Sequence, residues 1–409
     1  MMAAGTTDLR SVLLYAHDTY GLGHLRRNLA IAGRLLERRP GMQVVLMTGS
    51  TVADRFPLPR GLALVQLPPV IKVGAEDYRP RDNSWDIGLL RRARSAIMED
   101  VARRFRPDVF LVDHAPQGMK GELLPVFATL RSTSPATRIV LGLRDVLDDP
   151  ASVRRVWAEQ GVHATLESVY DRVLVYGTSE LLDVTAAYDI SPAVAAKLTY
   201  CGYICRQVAS GFPRPRPEAP IVLGTAGGGG DGVEVLSATL AASAALGVGS
   251  LVVTGPLMSE ADRLRLQAEA APDPCAQVVE FTPDLGAAMS SASAAVTMGG
   301  YNTLCELVAR RIPTVVVPRL QPRREQAIRA ELFARRGVVS IVATGADLAR
   351  RLESALAATL AAGQPRGPSG LDLHGLDRVD QALEAEAALS RGCSATADAR
   401  EWPRTRASA

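Results

Sequence analysis

The sequence predicts an α/β protein with two domains, each built on an open parallel sheet. Its 409 residues exceed the usual size of a single domain. Short β-branched runs alternate with helical patterns from residue 11 onward, which is typical of parallel strands joined by helices. The alternation stops at a proline-rich stretch near the middle of the chain and then restarts. We therefore expect two sheets of the same class in succession.

The first half of the chain contains a series of predicted strands. They are short runs rich in Val, Ile and Leu, at 12–16, 44–47, 62–67, 109–112, 138–143 and 173–176. Between them, apolar residues recur every three or four positions over 25–38 and 89–104, which predicts helices that cover the sheet. We expect this N-terminal domain to span residues 1–205.

The segment 206–219 is predicted to be an interdomain linker, because 211–217 is dense in proline and charge. A second domain is expected over 220–391. Its predicted strands lie at 221–225, 251–254, 278–281, 294–297 and 314–317. A last helix is predicted at 376–389, and residues 392–409 are expected to be a disordered tail.

The composition narrows the class of protein. Hydrophobic residues make up 47% and charged residues 22%, which is ordinary for a soluble globular protein. The formal charge of +3 is small for this length, so no nucleic-acid partner is expected. No run approaches the roughly 18 to 20 apolar residues of a transmembrane segment. The five cysteines include no CxxC pair and fit a reduced cytoplasm, so a cytoplasmic location is expected.

Ligands of open α/β sheets bind beyond the carboxyl ends of the strands, so the loops after strands are the places to search. The most informative loop is Gly299-Gly300, which predicts a turn between a short strand and a helix whose positive end attracts phosphate. Asn302 and Thr303 are polar residues at the head of that helix. Glu306, one turn further on, could accept hydrogen bonds from a ribose diol. A turn suited to phosphate, followed by a carboxylate suited to ribose, predicts a nucleotide ligand.

A second glycine-rich turn follows the first strand of the second half. Thr225 ends that strand, and Gly227, Gly228 and Gly229 begin a run of four consecutive glycines. Four glycines are entropically costly to order, so close approach of the backbone to a diphosphate explains them better than a plain turn. The run is neither GxGxxG nor a Walker loop. Ordinary NAD chemistry and ATP hydrolysis are therefore disfavoured.

Polar residues after strands of the first half are candidates for catalysis. His24 follows two glycines at a helix start, where the dipole favours a neutral imidazole and hence a general base, although a structural histidine is the alternative. His17 lies on the same loop and is a second candidate. Asp113 could orient His24, as the acid of a triad does, or simply cap the next helix. Arg144 could line an acceptor pocket or form a local ion pair.

An arginine-rich stretch follows the predicted strand at 314–317. Arg319, Arg323 and Arg324 stand beside Glu325 and Gln326. Arginines at a carboxyl-end loop could clamp phosphate, and a carboxylate with an amide could hold sugar hydroxyls. A solvated run of charges is the alternative interpretation.

Together these motifs resemble those of the GT-B glycosyltransferases, in which two Rossmann-like domains face each other across a cleft. They are most similar to family 28, the branch that contains the N-acetylglucosaminyltransferase of peptidoglycan lipid-intermediate synthesis and its predicted bacterial relatives. The resemblance extends in element order over most of 10–390, and its specific motifs cover four loops. It implies that His24 is the acceptor-side base, partnered by Asp113. It also implies that Asn302 and Thr303 bind phosphate and that Glu306 binds ribose.

The same resemblance implies roles for two further pairs of residues, Phe281-Thr282 at the nucleotide base and Glu325-Gln326 at the donor sugar. Met298 stands where many natural-product and plant enzymes have a phosphate-binding histidine. The charge of the phosphates is therefore expected to be met by the glycine loops, the helix end or an arginine such as Arg319.

The resulting functional prediction is a glycosyltransferase that uses a nucleotide diphosphate-sugar, expected to be a UDP-sugar. The acceptor is expected to be a small molecule, as in natural-product biosynthesis, or a lipid-linked sugar reached by peripheral membrane contact. Inversion at the anomeric carbon is implied by the resemblance. No aspartate-rich metal motif appears, so neither a metal ion nor another cofactor is expected. Two alternatives stay open: a nucleotide-sugar epimerase of the same fold, and a non-catalytic nucleotide-sugar-binding protein.

Overall fold

The computed structural model describes residues 9–18, 22–72, 78–82, 84–205, 219–282, 285–363 and 370–398. The predicted linker therefore lies outside the described residues, except for its last position. The same holds for residues 399–409 of the predicted tail.

The N-terminal domain is built on a parallel sheet. Its strands are β1 (Ser11–Ala16), β2 (Gln43–Thr48), β3 (Leu62–Gln66), β6 (Val109–Asp113), β7 (Arg138–Arg144), β8 (Arg172–Tyr176) and β9 (Leu198–Tyr200), and a small antiparallel pair is formed by β4 (Val70–Lys72) and β5 (Tyr78–Pro80). The large sheet has the order β3-β2-β1-β6-β7-β8-β9. Every adjacent pair in it runs parallel.

Helices cover both faces of this sheet. They are α1 (Gly23–Arg38), α2 (Ile87–Phe105), α3 (Leu124–Thr133), α4 (Pro150–Glu159), α5 (Val162–Ser168), α6 (Val184–Tyr188) and α7 (Pro192–Ala195), with short 3-10 turns at Ala53–Arg55 and Met119–Gly121. The apolar spacing of α1 buries Leu25, Leu29, Ala32 and Leu35. Alternate residues of β1 contribute to two separate core clusters, one on each side of the sheet.

The C-terminal domain repeats the architecture. Its strands are β10 (Ile221–Thr225), β11 (Gly249–Val253), β12 (Ala276–Val279), β13 (Ala294–Thr297), β14 (Thr314–Val316) and β15 (Ser340–Ile341). Its helices are α8 (Val233–Ala245), α9 (Glu260–Ala270), α10 (Leu285–Ser291), α11 (Tyr301–Ala309), α12 (Glu325–Arg335) and α13 (Leu348–Ala362). The strands run parallel in the order β12-β11-β10-β13-β14-β15. The predicted class, two Rossmann-like domains, is confirmed.

The strand order places the functional loops. In each domain the first strand lies in the middle of its sheet, between the second strand and a later one: β1 between β2 and β6, and β10 between β11 and β13. Successive strands are added on one side of β1 or β10 and later strands on the other side. At such a switch point a crevice opens beyond the carboxyl ends of the strands. The loops that follow β1 and β10 therefore lie where ligands of this class of fold bind.

The last helix departs from the predicted organisation. Helix α14 (Gly375–Asp398) was expected to belong to the C-terminal domain and to end near residue 389, with a disordered tail after 391. It instead continues to Asp398 and packs on the N-terminal domain. Arg39 pairs with Asp380, and Arg138 and Arg172 both donate to Glu386. The part of α14 up to residue 390 thus packs with the N-terminal domain.

No helix among the described residues combines the length and the apolar composition that a bilayer crossing requires.

Candidate active site

A cleft of about 790 Å³ lies between the two domains, beyond the carboxyl ends of both sheets. Of the residues predicted from the sequence, it is lined by His24, Arg144, Gly227, Gly228, Gly229, Gly300, Asn302, Thr303, Arg319, Glu325 and Gln326. A smaller cavity of about 150 Å³ shares part of this wall and is lined by Thr225, Gly227, Phe281, Thr282 and Glu306. The described structure thus gathers most of the predicted site residues in one place.

His24 and Asp113 are in direct contact. Helix α1 begins one residue before His24, and β6 ends at Asp113. Since β1 and β6 are adjacent parallel strands, their carboxyl ends bring the two side chains together. Nδ1 of His24 lies 2.6 Å from Oδ2 of Asp113, whose side chain is only 1% exposed. Asp113 itself does not line the cleft but lies behind His24.

A third member of this group is Arg27, whose sequence position suggested contact with an anionic acceptor or with solvent but not a bond to Asp113. Its Nε donates to Oδ1 of Asp113 at 2.9 Å and its Nη2 donates to Oδ2 at 2.8 Å. The guanidinium also lies 5.6 Å from the ring centre of Tyr176 and 5.5 Å from that of Tyr301. The available signal was the spacing, because a residue three positions after His24 lies on the same helical face.

The electrostatics of this group favour a neutral histidine beside an ionised carboxylate. Burial alone would raise the pKa of Asp113, but the charge of Arg27 and the contact with His24 hold that pKa well below its usual value. Burial lowers the pKa of His24 to about 4, despite the opposing effect of Asp113. Nη2 of Arg27 also lies 3.1 Å from Nδ1 of His24, but the nearer carboxylate of Asp113 can only accept a hydrogen bond. The ring proton therefore resides on Nδ1, and Nε2 is unprotonated. Among the described residues this Nε2 has no hydrogen-bond partner.

The glycine turn after β10 requires glycine on steric grounds. Gly229 has a φ of +92°, and a Cβ atom added there would lie 2.0 Å from the carbonyl oxygen of Thr254. Gly227 has a φ of +66°, and a Cβ atom there would meet nothing within 4 Å. The turn is therefore fixed by close packing on one side and open to the cleft at Gly227.

The turn before α11 is similarly constrained. Gly299 has a φ of +82°, and a Cβ atom there would lie 3.0 Å from a methyl group of Val316. Gly300 precedes α11, and no side chain caps the first N–H groups of this helix. The amide of Asn302 donates to the carbonyl oxygen of Gly23 at 2.8 Å. The side chain predicted to bind phosphate therefore joins the two domains here.

Glu306 is also engaged across the domain interface. Nη2 of Arg26 lies 2.8 Å from Oε1 and 2.9 Å from Oε2 of Glu306, and both side chains are largely buried. Glu306 lines the smaller cavity with Phe281 and Thr282 but not the main cleft. A ribose at this carboxylate would have to share it with Arg26.

The expectation that Arg319 supplies a free positive charge to the phosphates does not fit its contacts. Its Nη1 donates to Asp231 at 2.9 Å and its Nη2 donates to Glu325 at 3.1 Å. The side-chain oxygen of Gln326 accepts from the main-chain N–H of Arg319. The second oxygen of Glu325 is buried without a hydrogen-bond partner. Two carboxylates therefore offset the charge of Arg319.

His17 was expected on the acceptor side, but it is not among the residues that line either cavity. Its Nδ1 lies 3.1 Å from the hydroxyl oxygen of Tyr15, and its Nε2 lies 3.3 Å from that of Tyr78. The hydroxyl of Tyr15 in turn donates to Glu122 at 2.7 Å. His17 therefore belongs to a buried polar network behind the cleft. Arg144 does line the cleft.

The described residues contain no group of three or more His, Cys, Asp or Glu side chains arranged to hold a metal ion.

Comparison with known proteins bears on the class of the fold. Residues 229–365 match the family model described as glycosyltransferase family 28 C-terminal domain. The calicheamicin glycosyltransferase CalG4 is similar in structure, with 17% identity, a TM-score of 0.56, and coverage of 97% of this chain and 100% of that one. MurG from Acinetobacter baumannii shows 16% identity and a TM-score of 0.57, with coverage of 92% and 99%. No curated protein sequence matches the chain significantly.

A third similar structure is a variant of Os79 from O. sativa in complex with UDP. It shows 16% identity and a TM-score of 0.57, with coverage of 93% of this chain and 94% of that one. The two facing Rossmann-like domains and these comparisons define the protein as a glycosyltransferase of the GT-B fold. The residues that match the family 28 model, 229–365, lie in its C-terminal domain.

Proposed function

We propose that this glycosyltransferase transfers a sugar from a UDP-sugar to a hydroxyl group of a small-molecule or lipid-linked acceptor, with inversion and without a metal ion. One observation supports the proposal most. The contact of 2.6 Å between His24 and Asp113 lies on one wall of a cleft whose other wall carries two glycine turns and the start of a helix. A general base thus faces a site suited to a diphosphate.

The diphosphate would bind to main-chain N–H groups rather than to a positively charged side chain. Gly227, Gly228, Gly229 and the uncapped start of α11 line the cleft together. Helix starts and glycine turns stabilise anions through their N–H groups and dipoles. Met298 adds no charge, and Arg319 is already paired with two carboxylates. The same N–H groups would stabilise the diphosphate as it leaves.

The smaller cavity would hold the nucleotide base and ribose. It has a volume of about 150 Å³ and shares Gly227 with the main cleft, so a nucleoside there would adjoin a diphosphate at the glycine turn. Phe56 and Phe281 meet edge to face there, with their ring centres 5.3 Å apart, so the cavity has an aromatic wall from each domain. Glu306 at the same cavity is in a position to accept hydrogen bonds from ribose hydroxyls. UDP is the nucleotide bound to the similar Os79 variant.

Nε2 of His24 would take the proton of the acceptor hydroxyl as the new glycosidic bond forms. Asp113 would stabilise the resulting imidazolium, and Arg27 keeps Asp113 ionised for that purpose. The acceptor would approach from the His24 side while the diphosphate leaves toward the glycine turns. Attack opposite the leaving group inverts the anomeric carbon. The unpartnered oxygen of Glu325 is suited to a hydroxyl of the donor sugar.

The test is a transfer assay with a panel of UDP-sugars and TDP-sugars and a panel of phenolic, alcoholic and lipid-linked acceptors, with release of the nucleotide as readout. We expect release that depends on the acceptor, is unchanged by EDTA, and gives a product of inverted configuration by NMR. Incubation with UDP-N-acetylglucosamine alone tests the epimerase alternative, which requires an isomerised sugar. Tight binding of donors without turnover of any pair would favour the non-catalytic alternative.

A further inference from the structure

Arg144 stands apart from the other shielded arginines of the cleft. Arg26, Arg27, Arg319 and Arg329 each donate to a carboxylate, from Glu306, Asp113, Asp231 with Glu325, and Asp145 respectively. Arg144, the last residue of β7, lines the same cleft and is partly buried, but it forms no ion pair with any described residue. Its Nε is buried and has no hydrogen-bond partner.

His114 adds a second unsatisfied donor beside Arg144. Nη2 of Arg144 lies 3.2 Å from Nε2 of His114. A guanidinium can only donate, so Nε2 of His114 accepts and the ring proton resides on Nδ1. This Nδ1 is buried and has no partner. His114 also has a φ of +70°, a conformation that residues other than glycine rarely adopt.

The nearby charges do not neutralise Arg144. Burial together with Arg329 and Arg27 lowers its pKa to about 10, so the guanidinium stays protonated at neutral pH. Glu325 attracts it from beyond ion-pair distance but is itself paired with Arg319. Two buried donors without an acceptor, beside a cation that no carboxylate pairs with, are unfavourable, and such groups are typical of binding sites.

We propose that Arg144, oriented by His114, forms a carboxylate-binding site next to His24. The ring centres of His114 and His24 are 5.1 Å apart, so the site adjoins the atom that would take the acceptor proton. Arg144 lies at the end of a strand of the N-terminal domain, whereas the glycine turns proposed for the diphosphate belong to the C-terminal domain. The N–H groups along one edge of the Arg144 guanidinium match the two oxygens of a carboxylate.

This inference rests in part on the proposed function, because it names a chemical feature of the substrates in that cleft. The carboxylate could belong to the acceptor, close to the hydroxyl that receives the sugar, or to the donor as a uronic acid. The recognition chemistry is the same in both cases, so the experiment has one arm for each source.

Both arms use calorimetric titration of the full-length protein with matched pairs of ligands. In the acceptor arm, the protein saturated with UDP is titrated with 4-hydroxybenzoate and with its methyl ester. In the donor arm, the free protein is titrated with UDP-glucuronate and with UDP-glucose. In at least one arm we expect the ligand with the carboxylate to bind at least about tenfold more tightly than its neutral counterpart. A difference of this size is typical of hydrogen bonds to charged groups. That arm identifies the source of the carboxylate.

The substitution Arg144→Gln should reduce this preference to about twofold or less, and Arg144→Lys should keep an intermediate part of it. Arg104→Gln is the matched control, because Arg104 pairs with Asp100 on the surface and its side chain is 79% exposed. We expect it to leave the preference unchanged. The melting temperature of Arg144→Gln should not fall, because the substitution removes a shielded charge that lacks a carboxylate. If that variant does not fold, Arg144→Lys provides the comparison.

Three results would overturn the inference. The first is a wild-type protein that binds the charged and neutral ligands equally in both arms. The second is a preference that persists in Arg144→Gln. The third is an equal loss of affinity for UDP and for the ligand with the carboxylate when Arg144 is replaced by Gln. That result would show that Arg144 binds the diphosphate. If UDP does not bind the wild type at all, the proposed function fails. The nucleotide-free protein then still tests the site with the 4-hydroxybenzoate pair.

Discussion

Nδ1 of His24 and Oδ2 of Asp113 lie 2.6 Å apart at the wall of the interdomain cleft. The contact fixes the proton of the imidazole on the nitrogen that faces away from the cleft, so Nε2 is available to a substrate. Asp113 is buried and held in the ionised form by Arg27. The group therefore has the features of a general base with an orienting acid.

Replacing His24 with Asn should remove the base while leaving donor binding intact. General base catalysis contributes about 10² to 10⁴ in rate, so kcat/KM for transfer should fall by a factor in that range. The dissociation constant of UDP, measured by calorimetry, should change by no more than about twofold. Retention of more than about a tenth of the activity in His24→Asn would show that another group takes the proton.

The lowered pKa of His24 predicts how stability depends on pH. The pKa is about 4 in the folded protein against an ordinary value of 6.5, so the unfolded chain binds more protons between these values. The stabilisation due to the neutral histidine is thus present above pH 6.5 and is lost as the pH falls toward 4. It amounts to about 3 kcal/mol.

Urea unfolding at several pH values between 6.5 and 4 should show this loss in the wild type and not in His24→Asn. Asp18 has the opposite effect on the pH dependence of stability. Burial raises its pKa to about 6 despite the hydrogen bond from Thr48, so protonation of Asp18 favours the folded protein. Asp18 is present in both proteins and cancels in the comparison. Parallel stability profiles for the two proteins would contradict the burial of a neutral His24.

Removal of Arg27 should destabilise the fold. The substitution Arg27→Met leaves the carboxylate of Asp113 buried with only the histidine as partner, and breaking a buried pair in this way costs about 3 to 5 kcal/mol. The double substitution Arg27→Met with Asp113→Asn should recover most of that loss, since no charge is then left alone. Arg104→Met, at an exposed ion pair, should cost less than about 1 kcal/mol by the same urea measurement. Equal costs for the two single substitutions would contradict the assignment of Arg27.

Gly229 and Gly247 offer a matched test of the glycine turn. Both have a positive φ, but a Cβ atom at Gly229 would lie 2.0 Å from a carbonyl oxygen, whereas one at Gly247 would meet nothing within 4 Å. Gly247→Ala should cost about 1 kcal/mol of stability and leave UDP affinity unchanged. Gly229→Ala should weaken UDP binding at least about tenfold, because the turn must move. Unchanged UDP affinity in Gly229→Ala would show that this turn does not bind the donor.

Much of the architecture is predictable because it depends on local patterns. The strands β1, β6, β10 and β13 are short apolar runs, and the glycines after β10 and β13 mark the turns that follow them. The contact of His24 with Asp113 also follows from the sequence once β1 and β6 are neighbours, since both residues lie close to the carboxyl ends of these strands. Arg27 could have been found from its helical spacing with His24.

Contacts between the domains were not predictable in the same way. Arg26 and Glu306 are 280 positions apart, and nothing in either local sequence indicates which surface the other domain presents. The same is true of Asn302, whose amide reaches Gly23.

The packing of α14 on the N-terminal domain was missed for a related reason. Its apolar spacing predicts a helix but not the sheet that receives it.

A crystal structure of the protein with a non-reactive 2-fluoro derivative of a UDP-sugar would show whether the glycine turns and His24 act on one ligand. We expect diphosphate oxygens about 3 Å from main-chain nitrogens of 227–229 and of the start of α11. The anomeric carbon should then be open to attack from the side of Nε2 of His24. A nucleotide bound outside the cleft, or a sugar turned away from His24, would exclude sugar transfer by His24 in this cleft.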